Sequence, residues 1–272
     1  MEACLAATSR NFLFATDQGD AALTQLLAIL RQRTGFLDGA PGGPLPGWHV
    51  AGRDNSAFLD MLYGRLEATY PAAGQPFYAT RLWTNLMWQP AYIAVLSVHA
   101  HGALPQFSGM AQAMKGIDVS GFRLAPGPQH KDDLEALIAE AGTQLRAMGD
   151  IVLAEINTLT KLKRVPAMRL LADRMLGLMM RLGSFVPGTS VADQYRFCAL
   201  WLEAMGLKGQ GKLESIGLDD GRETVIIARK GCCLDYLAFP DTYCVSCPKQ
   251  DDAVRLARQR ASAIAELDSA EG

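Results

Sequence analysis

The chain has 272 residues, with 26 Lys and Arg against 28 Asp and Glu, for a formal charge of −2. That balance argues against a dedicated nucleic-acid or anionic-membrane binder, which needs a basic field. With 49% hydrophobic and 20% charged residues the chain can bury a core and is not disordered, and its length suits one large domain or one with a small appendage.

The opening residues Met1, Glu2, Ala3, Cys4 and Leu5 lack the basic start and apolar run of a secretory signal, so no export is expected. Ala21, Ala22, Leu23, Leu26, Leu27 and Leu30 recur at helical spacing, with Asp17 available as a cap and Gly35 past the end. The Pro/Gly-rich stretch from Gly39 to Gly47 reads as a loop. Helical patterning returns with Phe58, Leu59, Leu62 and Leu66 and stops at Pro71. It resumes from about Phe77 into a stretch, Leu82 to Met114, that contains no Lys, Arg, Asp or Glu. Asn85, Gln89, Pro90, His99 and His101 interrupt this stretch, and its purely apolar pieces are too short to cross hydrocarbon. It predicts a long buried helix kinked at Pro90, in a cytoplasmic protein with no transmembrane segment.

Alternation over Ile117 to Leu124 predicts a short strand, with Ser120-Gly121 as the turn of a hairpin. From Asp132 to Ile156 a 3.6-residue period predicts one long helix or two. Further helices are expected over about 166–182 and 190–205, the latter with Ser190 and Asp193 in a capping arrangement and Gly206 as its stop. Lys212 to Ile216 and Glu223 to Ala228 predict a hairpin around Asp219-Asp220-Gly221, and a terminal helix follows over about 251–267. The fold class is therefore α+β and mainly helical. A helical body over 1–205, with a small antiparallel sheet, precedes a region over 206–272 that holds the hairpin, a cysteine motif and the last helix.

Six cysteines are too few for a disulfide scaffold, yet four crowd together as Cys232, Cys233, Cys244 and Cys247, in the spacing C-C-x10-C-x2-C. Four thiolates in a reducing compartment point to a metal, and zinc or iron-sulfur is the choice. Zinc sites usually present two C-x2-C knuckles; here there is one, and the other half is an adjacent pair whose side chains diverge on a regular strand. Both can serve one site only where the chain turns, and Gly231 is the residue expected to permit it. A two-iron cluster relaxes the demand, because its ligands need not converge on one atom. Arg229, Lys230 and Lys249 flank the cysteines and are candidates to offset thiolate charge, although solvated basic residues are equally ordinary.

This spacing, with Pro248 directly after the last cysteine, resembles the FhuF-like ferric siderophore reductases of bacteria, and the resemblance covers about the last fifth of the chain. It implies a [2Fe-2S] cluster held by Cys232, Cys233, Cys244 and Cys247, and reduction of siderophore-bound Fe(III) to Fe(II) with release of iron in the cytoplasm. The implied partners are a ferric siderophore of hydroxamate or mixed oxygen-donor type and a separate electron donor, since no dinucleotide fingerprint is present. Tyr236 stands where the family often has an aromatic residue. The alternative from another class is a zinc-stabilised, non-enzymatic protein that binds a siderophore or serves its assembly.

Elsewhere, His99 and His101 diverge on a helix and are expected to shape a pocket rather than hold a metal. Trp83, Trp88 and Tyr92 read as core aromatics that could also face a bulky ligand. The run Lys161, Lys163, Arg164 and Arg169 is either a solvated face or a docking place for an anionic chelate or redox partner. Cys198, among Phe197, Leu200 and Trp201, is expected to be packing, and Cys4 stands apart from the cluster.

Overall fold

A computed structural model describes residues 21–218, 221–240 and 242–271, with side chains as far as residue 266. Cys4, the cap expected at Asp17 and the turn residues Asp219 and Asp220 lie outside the described residues. Eight helices and six strands are described: α1 Ala21–Thr34, β1 Gly39–Pro41, β2 His49–Val50, α2 Ser56–Thr69, α3 Gln75–Leu96, β3 Ala111–Lys115, β4 Asp118–Leu124, α4 Leu134–Leu159, α5 Arg164–Met180, the short α6 Leu182–Phe185, α7 Val191–Ala204, β5 Gly211–Gly217, β6 Glu223–Arg229 and α8 Asp252–Glu271. The protein is mainly helical α+β. Among the described residues no helix is long and apolar enough to cross a membrane.

Helix α3 is the centre, as its sequence, free of charge from Leu82 onward, requires, because a helix apolar on nearly all sides must be covered on nearly all sides. Phe77, Leu82, Trp83, Leu86, Met87, Ile93 and Leu96 are all buried, and α2, α4 and α5 pack around it. Pro90 lies inside the helix, which continues into one π-turn, Ser97–His101. A proline has no N–H to give, so the carbonyl of Leu86 four residues earlier lacks its helical donor. Gln112 on β3 fills that place, donating from Nε2 to Leu86 O at 3.0 Å, while its own Oε1 accepts from Gln89 Nε2 at 3.0 Å. The buried polar residues of the sequence thus repair the backbone that the proline interrupts.

Around this core, α4 begins at Asp133, which accepts from the Ala136 N–H, and α7 opens on the expected capping box of Ser190 and Asp193. Helices α4 and α7 approach closely at Gly142, where a Cβ would overlap the Cβ of Ala204.

The sheet departs from the sequence reading in three places. The four-stranded sheet has the order β1-β4-β3-β2, with β1 parallel to β4 and the rest antiparallel. First, Gly39 to Pro41, expected in a loop, is its edge strand. Pro41 is tolerated at an edge, and Gly39 has no side chain to displace the ring of Phe122. Second, the hairpin does not turn at Ser120-Gly121, which lies inside β4. It turns at Gly116-Ile117, where Gly116 takes φ 66° and no side chain crowds. Third, β2 pairs His49 and Val50 with β3 and was not foreseen. The separate β5–β6 hairpin lies on α5 and adds Leu213 and Val225 to the main core.

Candidate metal centre and the pocket beside it

Strand β6 ends at Arg229 and leads straight into the adjacent cysteine pair. The chain does turn after that pair, but not at Gly231. Leu234 takes φ 62°, the sole left-handed non-glycine among the described residues, and starts the 3-10 turn Asp235–Leu237. That turn aims the Leu234 N–H at the sulfur of Cys232 and the Asp235 N–H at the sulfur of Cys233. Gly231 serves a different purpose. Its N–H donates to Asp173 Oδ2 at 2.9 Å, and a Cβ there would overlap that oxygen and stand 3.0 Å from the backbone nitrogen of Leu170. Glycine is needed for close approach to α5.

Asp173, buried on α5, anchors the segment. It accepts from Arg229 Nε at 3.0 Å, from the Lys230 N–H at 3.3 Å and from the Gly231 N–H. Burial pushes its pKa up to about 6 against the opposing pull of Arg229 and the two amides. The other half of the motif is braced by α8. The Cys247 N–H returns to the Cys244 carbonyl at 3.0 Å, Gln250 Nε2 donates to the same carbonyl at 2.9 Å, and Arg258 Nη2 reaches Tyr243 O at 2.8 Å.

These supports bring the four cysteines together. Cys233 Sγ and Cys244 Sγ are 3.9 Å apart. Two thiolates on one tetrahedral ion, at metal–sulfur bonds of ~2.3 Å, lie ~3.8 Å apart, so this pair suits a shared metal. Cys232 has Cys247 as its strongest like-charged neighbour, ahead of the adjacent Cys233. The arrangement reads as two sulfur pairs, and among the described residues no three ligating side chains converge on one point. Two pairs fit a two-iron group, whose sulfurs divide between two irons.

Within the Cys233–Cys244 pair the electrostatics favour thiolate at one sulfur, Cys233. Its hydrogen bond with Cys244, with help from the Asp235 N–H and Arg229, brings the Cys233 thiol down to about 7 despite burial, while the same bond and burial raise Cys244. Burial raises Cys232. Of the three flanking cations, Arg229 faces the sulfurs, with Nη1 at 3.6 Å from Cys244 Sγ. Burial works against its charge, yet Asp173, Cys244 and Cys233 together hold its pKa above the usual arginine value. Lys230 is directed away, donating to Gly209 O at 2.8 Å. Lys249 lies over the ring of Tyr236 at 5.1 Å, with Cys232 among its charged neighbours. Tyr236 also packs against Tyr243, with ring centroids 5.6 Å apart.

A cavity of about 560 Å³ opens beside this centre. Cys233 and Cys244 line it, and Cys232 and Cys247 do not. Its far walls come from the helical body: Trp83 and Trp88 of α3, Asp118 to Ser120 of β4, and Leu170, Arg174, Gly177 and Arg181 along and just past α5. Trp83 and Trp88 therefore both pack and line, and Tyr92 supports the wall by receiving Arg181 Nη2 at 3.2 Å.

The histidines do not contribute. His99 Nε2 accepts from Trp201 Nε1 at 3.0 Å, with burial taking its pKa down to about 4, and His101 Nε2 meets Gln129 Oε1 at 2.8 Å. They point to different partners, and neither lines this cavity, contrary to expectation. The basic run at 161–169 is also elsewhere: Lys161 and Lys163 are solvated, Arg164 pairs with Asp150 at 2.9 Å and Arg169 donates to Gln210 Oε1. Cys198 is buried, with its thiol pushed up to about 12, and stands apart from the other four. Sequence reasoning missed Asp173, Arg81, Arg174 and Arg181. For Arg174 and Arg181 the signal available was the spacing Leu170, Arg174, Gly177, Arg181, which runs along one helix face; no such spacing marks Asp173 or Arg81.

No family model matches the chain, and no solved structure matches it.

Proposed function

We propose that the protein is a cytoplasmic ferric siderophore reductase, in which Cys232, Cys233, Cys244 and Cys247 hold a [2Fe-2S] cluster. When bound, such a cluster supplies one electron per cycle. The observation that carries the reading is the cavity itself, because a chelate seated there rests against the Cys233–Cys244 sulfur pair. Position is most of what a protein adds to one-electron chemistry.

Each residue then has a task. Asp173 holds Gly231 and Arg229 so that Cys233 is presented to the cavity. Arg229 and the amides of Leu234 and Asp235 stabilise sulfur charge by donating to it. Trp83 and Trp88 form a rigid wall for a bulky ligand. The substrate, Fe(III) in oxygen ligands, takes one electron and becomes Fe(II), a softer and less charged ion that those hard ligands hold less well. A separate protein donor restores the electron.

The test is direct. Anaerobically purified protein should be brown, carry iron and sulfide in equal amounts and bleach with dithionite. After removal of excess reductant it is mixed in turn with ferric siderophores of the hydroxamate, catecholate and polycarboxylate classes and an Fe(II)-trapping chelator. About one Fe(II) should form per electron lost. Serine at Cys232, Cys233, Cys244 or Cys247 should remove or alter the colour, and Cys198→Ser should not. A colourless protein with one tightly bound zinc, prepared with iron supplied, would replace this reading with a zinc-stabilised binding protein.

A further inference from the structure

The cavity beside the cysteines is unusually rich in guanidinium groups. Arg81, Arg174, Arg181 and Arg229 line it, against Asp118, Asp173 and Asp235. These charges are not simply paired off. Asp173 is committed to Arg229 at 3.0 Å. Arg81 stands between Asp118 at 3.9 Å and Asp235 at 3.7 Å, too far for hydrogen bonds to either. Arg181 donates only to neutral oxygens, Tyr92 Oη and Gly177 O. Arg174 has no hydrogen bond or ion pair among the described residues. Burial pulls its pKa down, Tyr92 works in the opposite direction, and Arg181, Arg229 and Arg81 are its like-charged neighbours.

Holding an unpaired guanidinium partly out of water beside three others costs free energy that packing alone does not explain. The cost is recovered when an anion enters, since guanidinium groups match carboxylate and catecholate oxygens in pairs. Arg229 already faces the cysteine sulfurs. Arg174 and Arg181 continue the positive charge along α5, seven residues or ~10 Å of helix rise from one to the other. Arg181 is exposed at the cavity mouth, whereas Arg174 is partly buried at its wall. The row thus spans a distance suited to the outside of a chelate rather than to the sulfurs alone.

From this, and resting on the reductase reading for the metal in the substrate, we infer that the cavity selects anionic metal chelates, of the catecholate or polycarboxylate class, over neutral or cationic hydroxamates. Arg174 and Arg181 are the selecting residues. Selection also favours the reaction. The chelate gains one negative charge as Fe(III) takes up its electron, so a wall carrying Arg174 and Arg181 binds the reduced complex better than the oxidised one.

The experiment uses gallium(III) chelates, which match the ferric complexes in shape and charge but accept no electron. Three are titrated calorimetrically into the full-length protein as isolated: a triply anionic tris-catecholate, a neutral trihydroxamate, and a trihydroxamate bearing a pendant ammonium group. The anionic chelate should bind about tenfold or more tightly than the cationic one, and lose affinity as salt is raised. Arg174→Met and Arg181→Gln should each weaken it about fivefold or more while leaving the neutral chelate nearly unchanged, and Arg174→Lys should retain the ranking. Should Arg174→Met fail to fold, Arg181→Gln at the exposed mouth decides alone. Equal affinity for all three chelates would overturn the inference. So would variants that shift the visible spectrum or midpoint potential of the protein without touching chelate affinity, since the arginines would then only offset sulfur charge. The two readings separate cleanly. A charge ranking with gallium but no Fe(II) from the ferric counterparts removes the reductase and keeps the anion site, whereas Fe(II) formed equally from all three does the reverse.

Discussion

The helical core and the cysteine segment are held by different physics. Around α3, buried apolar side chains form one core from Leu23 to Val225, and polar groups inside are few, with Gln89, Gln112 and Leu86 O hydrogen-bonded to one another. From Gly231 to Gln250, by contrast, only Gly231 and Cys247 are buried among the described residues, and Phe239, Tyr243 and Val245 are exposed. That segment keeps its shape through hydrogen bonds to Asp173 on one side and to Gln250 and Arg258 on the other. A core built on area spreads its stability over many contacts, so that one lost contact costs part of the whole. A segment built on a few polar anchors does not, and the proposed cluster would add the bonds that complete it.

The sharpest way to break this contrast is at Asp173. Asp173→Ala strands a buried Arg229 and two amides, and should cost about 3–5 kcal/mol with loss of the proposed cluster; Asp173→Asn, which keeps an acceptor, should cost less. Thermal unfolding and metal content measured on both variants check it. If the alanine variant held its metal at the wild-type level, the anchor would lie elsewhere.

On the core side the expected effect is a little smaller and depends on pH. His99 is neutral in the fold and accepts from Trp201, with its pKa taken from an ordinary 6.5 to about 4 by burial. Between those values the unfolded chain binds a proton that the folded one refuses. Stability is therefore fully present above about pH 6.5 and falls as the pH drops towards 4, by about 3 kcal/mol in all. Denaturant titrations across that range should show the slope, and His99→Gln should flatten it.

Two glycines then compare the regions directly, since each stands where a Cβ would overlap a neighbour. Gly142→Ala pushes α4 against Ala204 of α7 and should cost about 1–3 kcal/mol of stability while leaving the metal content whole. Gly231→Ala meets Asp173 and the backbone of α5, and should lower metal content more than it lowers the melting temperature. Equal effects on both readouts in both variants would mean that the regions are not separately supported. The smallest effect belongs to a local device: Ser190→Ala removes the reciprocal cap of α7, worth about 1 kcal/mol, and should leave the metal content unchanged.

What the sequence by itself determined is what near neighbours decide. Helical periodicity marks α1, α2, α4, α5 and α7 because the residues sharing a face are three or four apart. The Ser190–Asp193 box and the stop at Gly206 involve contacts within a few positions, and the cysteine spacing is written in the chain. The charge-free run announced α3 because any helix without charge must be covered. Only the tertiary structure decided the rest. Whether Gly39 to Pro41 is loop or strand depends on Phe122, more than eighty residues away, and the turn moved from Ser120-Gly121 to Gly116-Ile117 because strand pairing, not local composition, sets register. Gly231 looked like a hinge, but its need comes from Asp173, 58 residues earlier. Arg174 and Arg181 read as an ordinary helix face until α3, β4 and the cysteine segment closed around them into a cavity. Charge becomes a site only when distant segments remove water from around it, and no pattern along a chain records which segments those will be.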